Sequence, residues 1–292
     1  MVRQPFVDAH LHLWDRDRLR YPWLDDPGVA SIAATYRIED YRREAAAWNL
    51  AGCVHVEAGA DPEDSASETQ WLETVAADDG WPTAIVARVA LDQPEAERQL
   101  EWQASRSAVR GIRHLVNWHP DPARQAYPHD LTEDPAWQRG YALLGPLGLS
   151  FDFHGHPPQL ANLAQVARRH PDTPLILNHL ALPSAVDGLD EWRMGVTMMA
   201  AIPHAAIKLS GAGFIASPFD PAHFRDIVLE VIDLFGTARV MVATNFPTDR
   251  LFASMDETLS SYETILSAFS QDEQRDLWGR NANRIYRLGL EL

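Results

Sequence analysis

Phe6-Val7-Asp8-Ala9-His10-Leu11-His12-Leu13-Trp14-Asp15 begins as an apolar, strand-like run and ends in two histidines two positions apart. Side chains on a strand alternate faces, so His10 and His12 point the same way, with rings close enough to share one ligand. That is a metal-chelate spacing, although an isolated His-x-His is also what two ordinary surface or core histidines look like. The surrounding chain decides between the two. A long segment over 15–37, carrying Pro, Asp, Tyr and Trp, follows the histidines, and then an amphipathic stretch over 38–50 reads as a helix.

This order of short apolar run and longer amphipathic run recurs along the chain. The spacing predicts strands over 6–12, 51–57, 84–90, 110–116, 148–154, 174–179, 205–210 and 239–245. Helix-like stretches fall over 38–50, 65–78, 94–106, 134–147, 158–170, 189–201, 221–235 and 256–269. A last helix is opened by Ser270 with Glu273 three residues on, as in a capping box. Eight strand-helix repeats imply right-handed crossovers and a parallel sheet, which at this count closes into an α/β barrel of the (β/α)8, or TIM barrel, type. An open doubly wound sheet is the alternative, and the missing G-x-G-x-x-G after the first strand argues against it. No linker divides the chain, so residues 1–292 read as one domain. The segments over 15–37 and 118–134 are expected to cover the top of the barrel.

Bulk composition narrows the partners. Acidic residues outnumber basic ones 41 to 25, and the net charge of −16 argues against nucleic acid or an anionic membrane surface. A small-molecule substrate remains, and oligomeric state is not readable. The single cysteine, Cys53, cannot form an internal disulfide and reads as a small buried apolar residue. With no basic-then-apolar leader and no run of about 18 apolar residues, a cytoplasmic protein is expected.

In such a barrel chemistry belongs at the carboxyl ends of the strands. Polar, ligand-capable residues collect there: His10 and His12, His55 and Glu57, Arg88, Arg113 and His114, His154 and His156, His179, Lys208 and Ser210, and Asn245. With DAHLHLWD at 8–15, GIRH at 111–114, the glycine-to-histidine run at 148–154, LNHLALP at 177–183, KLSG at 208–211, ATNFPTD at 243–249 and NANR at 281–284, the chain resembles the amidohydrolase superfamily. The resemblance is to its amidohydrolase-2 branch of sugar-lactone and pyrone-dicarboxylate lactonases, and the motifs span nearly the whole chain in family order.

The resemblance implies hydrolysis of a small cyclic ester, such as a sugar-acid lactone, by activated-water attack. A decarboxylase on the same scaffold and a non-catalytic binding protein are the alternatives. Carried over by position, His10, His12 and His154 are the implied metal ligands. The aspartate of the fourth position is Asn245 here, a poorer ligand and no base. One divalent metal, zinc foremost given the nitrogen ligands, and metal-independent catalysis therefore both stay open. His179 is the implied proton-transfer residue, and Asp249 is the nearest carboxylate that could replace the lost base. Arg113, Asn245 and Lys208 are candidate substrate contacts, Arg113 because its planar fork suits a carboxylate. The bland reading stands beside each: His179 as a satisfied buried imidazole, Arg113 paired to a neighbouring acid, and Asp249 paired with Arg250. His55, Glu57 and His114 depend on strand register. His119, His129, His170, His204 and His223 are expected to face solvent.

Overall fold

The apolar runs form eight strands in a computed structural model that describes residues 3–184, 186–215 and 221–292. They are β1 (Phe6–Leu11), β2 (Leu50–Val56), β3 (Ala84–Arg88), β4 (Val109–Leu115), β5 (Ser150–His154), β6 (Leu175–Leu177), β7 (Ala205–Leu209) and β8 (Val240–Val242). Each pairs in parallel with the next. The ring closes through Asn245 N–H to His10 O at 2.7 Å and His12 N–H to Phe246 O at 2.8 Å. This is the expected (β/α)8 barrel.

Between the strands run α1 (Ile38–Glu44), α2 (Ser65–Asp79), α3 (Ala96–Ala104), α4 (Pro135–Ala142), α5 (Leu160–Arg169), α6 (Asp190–Ala200), the short α7 (Ala212–Ile215) and α8 (Pro221–Phe235). After β8 come α9 (Met255–Leu266), α10 (Gln271–Arg275) and α11 (Asn281–Ile285). Their buried residues recur at helical spacing, as with Leu160, Leu163, Ala164 and Ala167 on α5, so each helix lays one apolar stripe on the barrel. Ser270 and Glu273 form the expected capping box at the start of α10. The helix expected over 38–50 is shorter: it ends at Glu44 and one tighter turn follows, because the chain must re-enter the sheet at Leu50.

Inside the barrel, Val7, Ala9, Val54, Val56, Ala84, Val86, Ile176, Ala206, Met241 and Ala243 pack together with Ala282 and Tyr286. β1 does not alternate cleanly. Asp8 pairs with Cys53 and Leu11 with His55, so β1 carries one residue more than β2 over this span. Such a bulge re-aims side chains, and here it lets Val7 and Ala9 fill the interior while His10, in contact with the interior Lys208, turns inward as well. Asp8 locks the seam: its Oδ1 accepts from the N–H groups of His10 and Thr244, and its Oδ2 from the hydroxyls of Tyr41 and Thr244, both at 2.6 Å.

Candidate functional site

At the carboxyl ends of the strands lies a cavity of about 460 Å³, a volume suited to a small molecule. Its polar wall is made by His12, His154, His179, Arg88, Arg113, Asn117 and Asn245, and its apolar wall by Trp23, Leu115 and Phe214. Trp23 belongs to the segment expected to cover the barrel, and its indole N–H is tied to Ala58 O at 2.8 Å.

The histidines form a chain of contacts. His10 and His12 bring their Nε2 atoms to 3.1 Å. The His10 ring lies 4.7 Å from that of His179, and the His179 ring 5.0 Å from that of His154, centroid to centroid. Burial holds all four imidazoles neutral: His10, His154 and His179 sit well below the ordinary histidine range, and His12 is pushed down to about 3. The positive charges of Arg113 and Lys208 act in the same direction.

Hydrogen bonding fixes which atoms carry lone pairs. His12 donates from Nδ1 to Val56 O at 2.8 Å, so in the neutral ring Nε2 is bare. Asn245 donates from Nδ2 to Asp249 Oδ1 at 2.7 Å, because a carboxylate only accepts, and this turns its Oδ1 toward His12 Nε2 at 3.1 Å. Two lone pairs thus face one another with no hydrogen between them, an arrangement that fits a cation. Lys208 Nζ donates toward His10 Nδ1 at 3.3 Å, which puts the His10 proton on Nε2 facing His12, so His10 would join this corner only if that proton moved to Nδ1 and the Lys208 contact were given up. Among the described residues no three His, Cys, Asp or Glu side chains gather as a metal-binding group. His154, an expected ligand, stands instead beside His179, with its buried Nδ1 lacking a hydrogen-bond partner among the described residues.

His179 occupies a strained turn. Residues 179–182 all have positive φ, between 51° and 59°, which costs about 1–2 kcal/mol for each non-glycine residue. Trp192 Nε1 to Leu180 O at 2.7 Å and Leu182 N–H to His179 O at 2.8 Å hold the turn. This is why β6 ends at Leu177, short of the expected 179. His179 Nδ1 meets Ser210 Oγ at 2.9 Å. Gly211 makes the room: at φ +69° a Cβ there would lie 2.7 Å from the His179 Cβ.

Arg113 donates from Nε to Glu57 Oε1 at 2.7 Å and from Nη2 to Glu57 O, leaving Nη1 for the cavity. Burial pushes Glu57 up, yet Arg113 and Arg88 outweigh it and hold the carboxyl below its usual range. Arg88, one strand over in register with Arg113, is anchored through Nη1 to Ala60 O.

Three candidates lie away from the cavity wall: His10, behind His12, together with Lys208 and Asp249. Lys208 is fully buried beneath His10, donating to Asp152 Oδ1 at 2.5 Å and reaching His10 Nδ1 at 3.3 Å. It therefore touches a histidine, not the space a substrate would fill. Asp249 stands behind Asn245, its second oxygen accepting from Gly211 N–H at 3.1 Å. Of the register-dependent residues, Glu57 fixes Arg113, while His55 reaches Leu13 O and His114 reaches Tyr127, neither on the cavity wall. Trp23, Asn117 and Phe214 were beyond sequence reasoning, since they lie on connections after β1, β4 and β7, Trp23 and Phe214 in single short helical turns, whose path no periodicity gives.

Residues 7–288 match the amidohydrolase family. An uncharacterized protein of Sinorhizobium fredii is 35% identical over 97% of this chain and 98% of its own. An L-fucono-1,5-lactonase of Burkholderia multivorans is 29% identical, covering 97% and 96%. The crystal structure of an amidohydrolase from Burkholderia multivorans with bound zinc superposes with a TM-score of 0.82 at 28% identity, covering 97% and 99%. No helix among the described residues is long and apolar enough to cross a membrane. The chain belongs to the amidohydrolase family, and it is a hydrolase built on an eight-stranded (β/α)8 barrel.

Proposed function

We propose that the protein hydrolyses a small sugar-acid lactone in the cavity at the barrel mouth. The observation that carries the reading is the pairing, on one cavity wall, of a neutral imidazole at His179 with the cationic Arg113. Opening a lactone needs a base for water and positive charge where the carbonyl oxygen becomes an oxyanion. Similarity to an L-fucono-1,5-lactonase supports the substrate class.

In the tautomer that donates from Nδ1 to Ser210 Oγ, His179 has a bare Nε2 able to take a proton from water as it attacks the carbonyl carbon. The new C–O bond forms, the ring C–O bond breaks, and the same Nε2 returns the proton to the departing ring oxygen. Arg113 and Arg88 face the carboxylate so produced, which offsets the acidic balance of the chain as a whole. Trp23, Leu115 and Phe214 limit water around the ester.

His12 and Asn245 are the residues that would hold a divalent cation, with His10 joining them only in its Nδ1-protonated form. When bound, such an ion supplies carbonyl polarisation and a more acidic water. Zinc fits the nitrogen donors.

The test is product analysis on a panel of aldono-1,5-lactones and hydroxybenzoic acids. The expected result is release of the aldonic acid above the spontaneous rate and no carbon dioxide from the aromatic acids. Carbon dioxide without lactone opening would establish the decarboxylase reading instead.

A further inference from the structure

A second cavity, of about 530 Å³, adjoins the first and shares Asn117, His154 and Phe214 with it. Resting on the lactonase reading, we propose that it binds the glycosyl residue of a glycosylated aldonolactone, so that the substrate is a disaccharide whose lactone end enters the first cavity.

The lining has the two characters that a sugar ring presents. One side is polar. Arg124 Nη1 and Asp187 Oδ2 pair at 2.6 Å, joining the loop after β4 to the loop after β6, and His119 Nε2 lies 3.7 Å from the same oxygen. His119 accepts from Asp121 N–H at Nδ1, so its own proton is on Nε2, the atom beside Asp187, at the wall of this cavity. His156 supplies the converse group, a buried Nδ1 with no partner among the described residues, ready to accept from a hydroxyl. Burial, Arg124 and His119 keep its ring neutral, with the pKa down at about 4.

The other side is apolar. Leu182 and Pro183 line it, and so do Phe214 and Val186, two of the three large hydrophobic residues exposed among the described residues. A phenylalanine face and hydrogen-bonding groups opposite it match the C–H face and the hydroxyl edge of a pyranose. Charge excludes an anionic ligand here, because Arg124 is already neutralised by Asp187. At the junction the Asn117 amide makes no hydrogen bond within the described residues and is available to the glycosidic region. His119, expected from sequence to face solvent, is only 12% exposed at its side chain for this reason.

Binding of the open acids tests this without relying on turnover. Isothermal titration of the protein with gluconate, maltobionate and lactobionate should give at least one disaccharide acid about tenfold tighter than gluconate. His119→Ala and His156→Ala should each close that gap while gluconate affinity stays the same, which also shows that the variants fold. Equal affinity for all three acids, absence of binding by any, or a gap that survives both substitutions would overturn the proposal. Hydrolysis of monosaccharide lactones without a disaccharide preference would leave the catalytic reading standing and sink this one alone.

Discussion

Arg113 and Asn245 are the residues on which the chemistry turns. Arg113→Lys keeps a positive charge but gives up the planar fork that spans Glu57 and the cavity. Turnover on an aldonolactone should fall by about 10–100-fold, with a stability loss of roughly 1–3 kcal/mol from the loosened buried pair. Full activity in that variant would mean Arg113 is structural alone. Asn245 makes a different prediction, because Asp249 sets which end of its amide faces His12. Asp249→Ala frees the amide to rotate, and zinc affinity measured against a chromophoric chelator should weaken by about 10–100-fold, as for other outer-shell supports. Asn245→Asp should tighten it. Unchanged affinity in both variants would remove Asn245 from any cation site. Sequence spacing put His10 and His12 on one face, and their Nε2 atoms do meet at 3.1 Å, although the irregularity between Asp8 and Leu11 falls on the stretch that carries His10. It gave no hint that the Asp249 carboxylate would stand behind the amide, because four residues of loop fix no direction.

Among the elements, the strands were legible and the turns between them were not. Short β-branched runs bounded by Gly, Pro and Asp admit one reading when they alternate with amphipathic helices, and all eight form where expected within a few residues. The left-handed turn at 179–182 is the opposite case: His-Leu-Ala-Leu has no propensity for positive φ, and the fold imposes it through Trp192 and the packing of Gly211. That dependence is testable. Gly211→Ala puts a methyl group against the His179 Cβ and strains φ at residue 211 itself, so kcat should drop at least tenfold and the melting temperature should fall. A variant with native kcat would show that the position of His179 is not critical.

For the whole molecule, burying neutral imidazoles has a cost that depends on pH. His10, His12, His55, His154 and His179 all have pKa values depressed by burial, with His12 and His55 at about 3. Between the ordinary value near 6.5 and these lower values the unfolded chain binds protons that the native state refuses, so stability rises with pH there and is lost on acidification. Asp8 and Glu68, raised by burial, the latter to about 8, work in the reverse direction but are fewer. The net expectation is a melting temperature that falls steeply as pH drops from 6.5 to 5, and a flat profile over that window would contradict neutral burial. The catalytic account has its own decisive number, kcat for acid release from the aldono-1,5-lactone that the wild type opens fastest, compared with His179→Ala. A loss of about 10²–10⁴-fold is predicted for removal of the proton-transfer group. Equal rates in the two proteins would contradict the claim that His179 moves the proton in lactone opening.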